Sequence, residues 1–269
     1  MNKMENNKSK ITVIIPVHEL DEGTEKSLGV AIESINLQVV KPEAVIIVVP
    51  KGSDIVKTVS GMLPKNKLKF TVLENDGETD FCSQVNFGIA NTKTEWFSIL
   101  EYDDEYSSIW FKNVVEYQEA YPEVGLFMPM IADVDKKGGY LGGTNEAVWA
   151  NMFSDEMGIL DTEALLRFQN FNTDGMVMKT EHIEEFGGFK AAIKLTFIYE
   201  FLLRMTSNGV RTMVIPKIGY MHVNLRDNSL FANYRKDMDG TESKWWLQKA
   251  KKEYYWSEDR AITYTKDTV

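Results

Sequence analysis

Four short, nearly continuous apolar runs, each halted by proline, turn residues or acids, constrain this chain more than any other feature. They are Ile11 to Pro16, Ala44 to Pro50, Leu68 to Leu73 and Trp96 to Leu100. A run that is apolar at nearly every position belongs to a strand buried on both faces, as in a parallel sheet covered by helices. The stretches between them carry apolar residues at helical spacing: Leu28, Ile32 and Ile35, then Ile55, Val59 and Met62, then Phe81, Val85 and Ile89. Gly52-Ser53-Asp54 offers a turn and helix cap before the second of these. The order β-α-β-α-β-α-β predicts parallel strands joined by right-handed helical crossovers. All four strand ends then gather on one edge, where open α/β sheets bind ligands.

The fourth run ends in four acids within five residues: Glu101, Asp103, Asp104 and Glu105. Carboxylates this close repel one another unless a cation lies between them. Hard oxygen ligands favour magnesium or manganese over zinc. The alternative is a solvated acidic turn. No GxGxxG follows the first strand, and GxxxxGK[ST] and GxSxG are absent.

A hydrophobic fraction of 43% over 269 residues supports a real core and fits one large domain. The net charge of −10 argues against broad binding to nucleic acid, although Lys179, Lys190, Lys194, Arg211 and Lys217 offer a local basic strip. Cys82 is the only cysteine, so no internal disulfide forms and a reducing compartment is expected. The polar start MNKMENNKSK lacks a signal-peptide core, and no apolar run reaches membrane-spanning length. A soluble cytoplasmic protein is the expectation.

Further along, Val124 to Met130 reads as a fifth strand, after a helix marked by Trp110, Val114 and Tyr117. Residues 133–175 show few periods and read as a functional loop region or short helices. Phe197, Phe201 and Met205 share a helical face, with Glu200 and Arg204 one turn apart beside it. Val210 to Ile215 and Ile218 to Val223 read as a hairpin or paired short strands around Pro216-Lys217, with His222 near the end. From 241 onward Trp245, Trp246, Tyr254, Tyr255 and Trp256 crowd a charged helical tail.

Taken in order, these segments resemble family 2 glycosyltransferases of the GT-A fold. ITVIIPVHE is similar to the family's opening strand, and AVIIVVPKGSD to its second strand and turn. ENDG followed by SQVNFGIANTKTEWFSILEYDDEY resembles the family's helix, strand and D-x-D-D signature. GGF, YEFLLRM and GVRTMVIPKIGYMHVNLRDNSL resemble its acceptor half and closing strand. The resemblance covers roughly residues 10–231. Three departures stand out. Pro50 and Lys51 replace the acids of the second turn, Glu101 replaces the first acid of D-x-D, and Ile198 occupies the usual position of the catalytic aspartate.

The resemblance implies an α/β fold: a Rossmann-like, mostly parallel sheet flanked by helices, as one domain with a helical C-terminal tail. It divides the chain into a disordered leader over 1–9, a transferase domain over 10–235 and a tail over 236–269. Within the domain, 10–106 is the nucleotide-binding half and 107–235 the acceptor half. It implies a metal-dependent, inverting hexosyltransferase that moves a sugar from a nucleotide-sugar donor, a UDP-sugar, to a saccharide or other hydroxyl acceptor. Pro16, Val17, His18, Glu19, Pro50, Asp76, Asn86, Glu101 and Tyr102 would meet the nucleotide. Asp103 and His222 would ligate Mn2+ or Mg2+. Glu200 would be the general base, with Asp174 as second candidate; the competing role for Glu200 is an ion pair with Arg204. The segment Asn224 to Ser229 is expected to order when nucleotide and metal bind. Two alternatives remain at this point: a weak or inactive binding or assembly protein, which Ile198 favours, and a viral-type glycosyltransferase acting on modified DNA.

Overall fold

The structure, a computed structural model, describes residues 9–17, 23–52, 55–63, 68–150, 153–223 and 240–255. The expectations for His18, Glu19, the Ser53-Asp54 cap, the segment 224–229 and Trp256 lie outside the described residues.

The four apolar runs form strands β1 (Ile11–Pro16), β2 (Ala44–Pro50), β3 (Lys69–Asn75) and β4 (Trp96–Ile99). Between them lie α1 (Thr24–Asn36), α2 (Ile55–Met62) and α3 (Phe81–Ala90). Then follow β5 (Glu105–Tyr106), α4 (Trp110–Ala120), β6 (Leu126–Val134), β7 (Tyr140–Thr144), β8 (Ile159–Leu160), α5 (Thr162–Arg167), β9 (Val177–Lys179), α6 (Thr180–Phe186), α7 (Phe197–Ser207), β10 (Thr212–Val223) and α8 (Gly240–Tyr255). One ten-stranded sheet runs β3-β2-β1-β4-β9-β6-β10-β5, with β7 on β6 and β8 on β10.

β1 pairs in parallel with β2 on one side and β4 on the other, so strand order reverses beside β1. Crevices open at such reversals. The strands are apolar throughout because the sheet has a core on each face. Val13 and Ile15 pack with Leu28, Val59 and Trp110 of α1, α2 and α4. Ile14 packs on the other face with Val85, Phe201 and Ala250 of α3, α7 and α8. Ile14 is fully buried, which stabilises the fold by about 2 kcal/mol relative to exposure.

Two expectations change. Pro216-Lys217 does not make a turn: β10 is one strand that runs parallel to β6, with register shifts between Ile215 and Ile218 and between Ile218 and Tyr220. A bulge tolerates the proline, which has no N–H to give to a ladder. The stretch 133–175 is also more ordered than its weak periodicity suggests, because it supplies β7, β8 and α5. β8 pairs with β10, more than fifty residues away, and β7 is a short, glycine-rich partner of β6, so local pattern revealed neither.

Glu200 and Arg204 are not a lateral surface pair. Glu200 is 1% exposed and Arg204 is 6% exposed. The Arg204 guanidinium donates to both Glu200 oxygens at 3.0 Å and to the carbonyls of Phe186, Gly187 and Gly188. It thereby ties α7 to the loop after α6. Lys190 approaches Glu200 at 2.8 Å, and the Tyr254 hydroxyl of α8 donates to the same carboxylate. Burial alone would push the Glu200 carboxyl up, but hydrogen bonds from Arg204, Lys190 and Tyr254 hold it below its ordinary value.

A group with a depressed folded pKa stabilises fully above its unfolded value and loses that contribution as pH falls. Breaking one side of a buried pair costs about 3–5 kcal/mol. Glu200→Gln is therefore expected to lose several kcal/mol in urea denaturation near neutral pH. The gap to the wild type should narrow as pH drops below about 4. A surface pair would show neither effect.

Candidate active site

The acids after β4 meet the ends of two other segments. Glu101, Asp104, Asp174 and His222 each place one ligand atom within 4.8 Å of all the others. Glu101 and Asp104 follow β4, Asp174 lies on the loop before β9, and His222 is near the end of β10.

Asp104 is fully buried and ties the turn after β4 to the end of β10. It accepts from the Tyr220 hydroxyl at 3.0 Å, from the Val223 N–H at 2.8 Å, and contacts His222 Nδ1 at 3.0 Å. The Tyr220 hydroxyl in turn accepts from the Glu101 N–H at 3.1 Å. Tyr220 and His222 reach the same carboxylate because alternate residues of a strand share a face.

Asp174 is placed by its neighbour Gly175. The Gly175 N–H donates to the Ile99 carbonyl at 3.1 Å, and its own carbonyl accepts from Trp110 Nε1 at 2.9 Å. Gly175 has φ +71°, and a Cβ there would lie 2.6 Å from Tyr220 Cδ2. Only glycine permits both the left-handed backbone and that approach. Asn172 Nδ2 donates to the Asp174 carboxylate at 2.6 Å.

Burial pushes the Asp174 carboxyl up to about 6; His222 opposes this and Asp104 adds to it. Burial would lower His222, but its hydrogen bond to Asp104 and the charges of Asp104, Asp174 and Glu101 raise it to about 10. Three carboxylates around one imidazole thus form a group that stabilises positive charge. Carboxylate oxygens with one imidazole nitrogen suit manganese or magnesium, so the donor set fits the divalent cation that family 2 commonly uses.

The remaining expected residues distribute as follows. Asp103 is half-buried beside the group but is not a member of it; Asp104 is. Asp104 was visible only as one acid among four, and Tyr220 gave no signal except its i, i+2 spacing from His222. Pro16 and Val17 are buried at the end of β1, where the Val17 carbonyl accepts from Gln84 Nε2 at 3.0 Å. Pro50 ends β2 half-buried, and Tyr102 is buried. Asp76 is exposed and pairs with Lys51 at 3.2 Å. The Asn86 side chain is taken up by Phe189: it donates to the Phe189 carbonyl at 2.7 Å and accepts from the Phe189 N–H at 2.9 Å. Glu200, expected as base, is enclosed by Arg204, Lys190 and Tyr254 and does not belong to the four-residue group.

Asn86 therefore joins α3 to the Gly187-Gly188-Phe189 loop. Leaving a buried N–H and C=O without partners costs about 1–3 kcal/mol each. Asn86→Ala is expected to lower the denaturant midpoint while nucleotide affinity, measured by calorimetry, stays unchanged. Weaker affinity at unchanged stability would return Asn86 to the nucleotide site.

The sequence matches the model of glycosyl transferase family 2 over residues 12–191. A comparison with curated proteins finds no match. Among solved structures, S. aureus TarS 1–349 in complex with UDP-GlcNAc superposes with a TM-score of 0.69 at 15% identity, over 94% of this chain and 69% of that one. A second structure of TarS 1–349 gives 0.61 at 15% identity, over 87% and 74% of the two chains. A further TarS structure gives 0.56 at 16% identity, over 80% of this chain and 37% of that one. At such identity the likeness speaks for the fold, a mixed α/β domain of the GT-A kind. The family match spans most of the chain and covers Glu101, Asp104 and Asp174 of the site: this protein belongs to glycosyl transferase family 2 and is a glycosyltransferase with the GT-A fold.

Proposed function

We propose that the protein transfers a sugar from a UDP-sugar to a hydroxyl acceptor, with inversion, and uses Mn2+ or Mg2+. The observation that carries this is the convergence of Glu101, Asp104, Asp174 and His222 beyond the carboxyl ends of the central strands. The family match and the fold shared with a structure that holds UDP-GlcNAc support the donor class.

Glu101, Asp104 and His222 would hold the cation, in place of the Asp103 and His222 pair read from sequence. Asp104 also fixes the orientation of the His222 ring through Nδ1, as outer carboxylates do for metal-ligating histidines. The bound cation supplies charge neutralisation for the departing diphosphate.

Asp174 is the general base. Its carboxyl, raised to about 6, stays ionised near neutral pH yet is basic enough to accept a proton. As the acceptor oxygen bonds to the anomeric carbon, its proton passes to Asp174 and the nucleoside diphosphate leaves with the bonding pair. One base that delivers one nucleophile fits a single displacement, which inverts the anomeric centre. Pro16, Val17, Pro50, Asp76 and Tyr102 lie on the β1 to β4 side and would meet the nucleotide. Glu200 holds the fold beneath the acceptor half.

UDP-GlcNAc and manganese provide the test. Asp174→Asn should keep UDP affinity in calorimetry but hydrolyse the donor about 10²–10⁴-fold more slowly. Asp104→Asn should lose the manganese-dependent rise in melting temperature that nucleotide gives. Full hydrolysis by Asp174→Asn would move the base elsewhere.

A further inference from the structure

The outer face of α8 is built differently from the rest of this acidic chain. At about 100° per residue, Lys244, Trp245, Gln248, Lys249 and Lys252 fall within an arc of about 140°. Lys244, Trp245, Gln248, Lys249 and Lys252 are all exposed, Trp245 by 54%. The opposite side of the helix is already used: Ala250 is buried, and Trp246, Leu247 and Tyr254 pack against the core around α7. The outer arc is thus not an apolar face awaiting a missing part of the core.

Two further charged residues of the helix lie off that arc. Glu253 lies outside the arc and approaches Lys190 at 3.5 Å. Lys251 turns inward and donates to the Leu166 carbonyl at 3.4 Å. Three lysines therefore share the outer arc with one large aromatic ring, in a chain whose net charge is −10. Trp245 stands edge-on to Trp246 with centroids 4.8 Å apart, and the Lys249 ammonium lies 5.0 Å from the Trp245 ring centre. The indole is held at the surface by its neighbours rather than folded into the core.

We propose that this face of α8 docks the enzyme on an anionic lipid surface. Lysines near such a surface are attracted by its negative potential. Tryptophan partitions into the headgroup region, where its ring is apolar and its N–H is wet. A basic helix with an exposed tryptophan that lies flat on a membrane follows from those two preferences. On this face the lysines are joined by an exposed indole, so contact through α8 adds headgroup partitioning to charge attraction. Three lysines and one indole make a weak, reversible contact. The membrane is favoured over a dissolved polyanion because a polyanion would use the lysines and gain nothing from the indole on its surface.

The test is co-sedimentation of the full chain with vesicles of phosphatidylcholine alone and of equimolar phosphatidylcholine and phosphatidylglycerol. Binding is expected to the anionic vesicles only, and to weaken in high salt. Lys249→Glu combined with Lys252→Glu should lower it at least tenfold, with the melting temperature and donor hydrolysis unchanged. Anionic vesicles should shift the tryptophan emission to the blue, and Trp245→Phe should remove the shift. Equal binding by the double variant would overturn the proposal. So would heparin binding as tight as vesicle binding with no emission shift, which would assign the face to a soluble polyanion.

Discussion

The buried carboxylate of Asp104 is the constraint on which the rest depends. A charge with no exposure to water is costly unless it is surrounded by donors. Here the donors come from one strand, β10, through Tyr220, His222 and the Val223 N–H. The end of β4 and the end of β10 are therefore locked together, although β9 and β6 lie between them in the sheet. Tyr220 extends the lock to the Glu101 backbone, and its ring excludes any side chain at Gly175, which positions Asp174. Every member of the site is placed by another member or by that member's neighbour.

A second buried charge does comparable work at a different level. Arg204 gathers three consecutive carbonyls from the loop after α6 and closes on Glu200. The next residue of that loop, Phe189, is held by Asn86 of α3. α3, the loop after α6 and α7 are thereby fastened by polar groups that resemble site residues in sequence. An acid and an amide near a ligand pocket invite a chemical reading, yet here both are saturated by protein partners.

The central strands were legible because burial on both faces leaves a run with no polar interruptions, and β1 to β4 show it. The acid cluster was legible as a cluster, but not which acid matters. Asp103 and Asp104 are adjacent, and the choice between them depends on contacts with a strand more than a hundred residues away, since Asp104 and His222 are 118 positions apart. β5, β7, β8 and β9 escaped notice for a related reason. Each has only two to five residues, and β5, β8 and β9 exist through pairing with distant strands. For Glu200 the sequence offered a base or an ion pair with Arg204; helical spacing shows the pair, which the structure contains, but not that it is covered. Lys190 and Tyr254 supply that cover from elsewhere in the chain.

The separation of Asp104 from its partners has a kinetic meaning. Contacts between residues far apart in sequence form only after the intervening chain has been ordered, and they slow folding for that reason. The first half of the chain, as it emerges, carries Asp104 without β10 and Glu101 without Asp174. A carboxylate destined for full burial then waits in water. Pairing of β10 with β6 is what brings Tyr220, His222 and Val223 to that carboxylate, so the burial of Asp104 and the gathering of its partners depend on the same late contact.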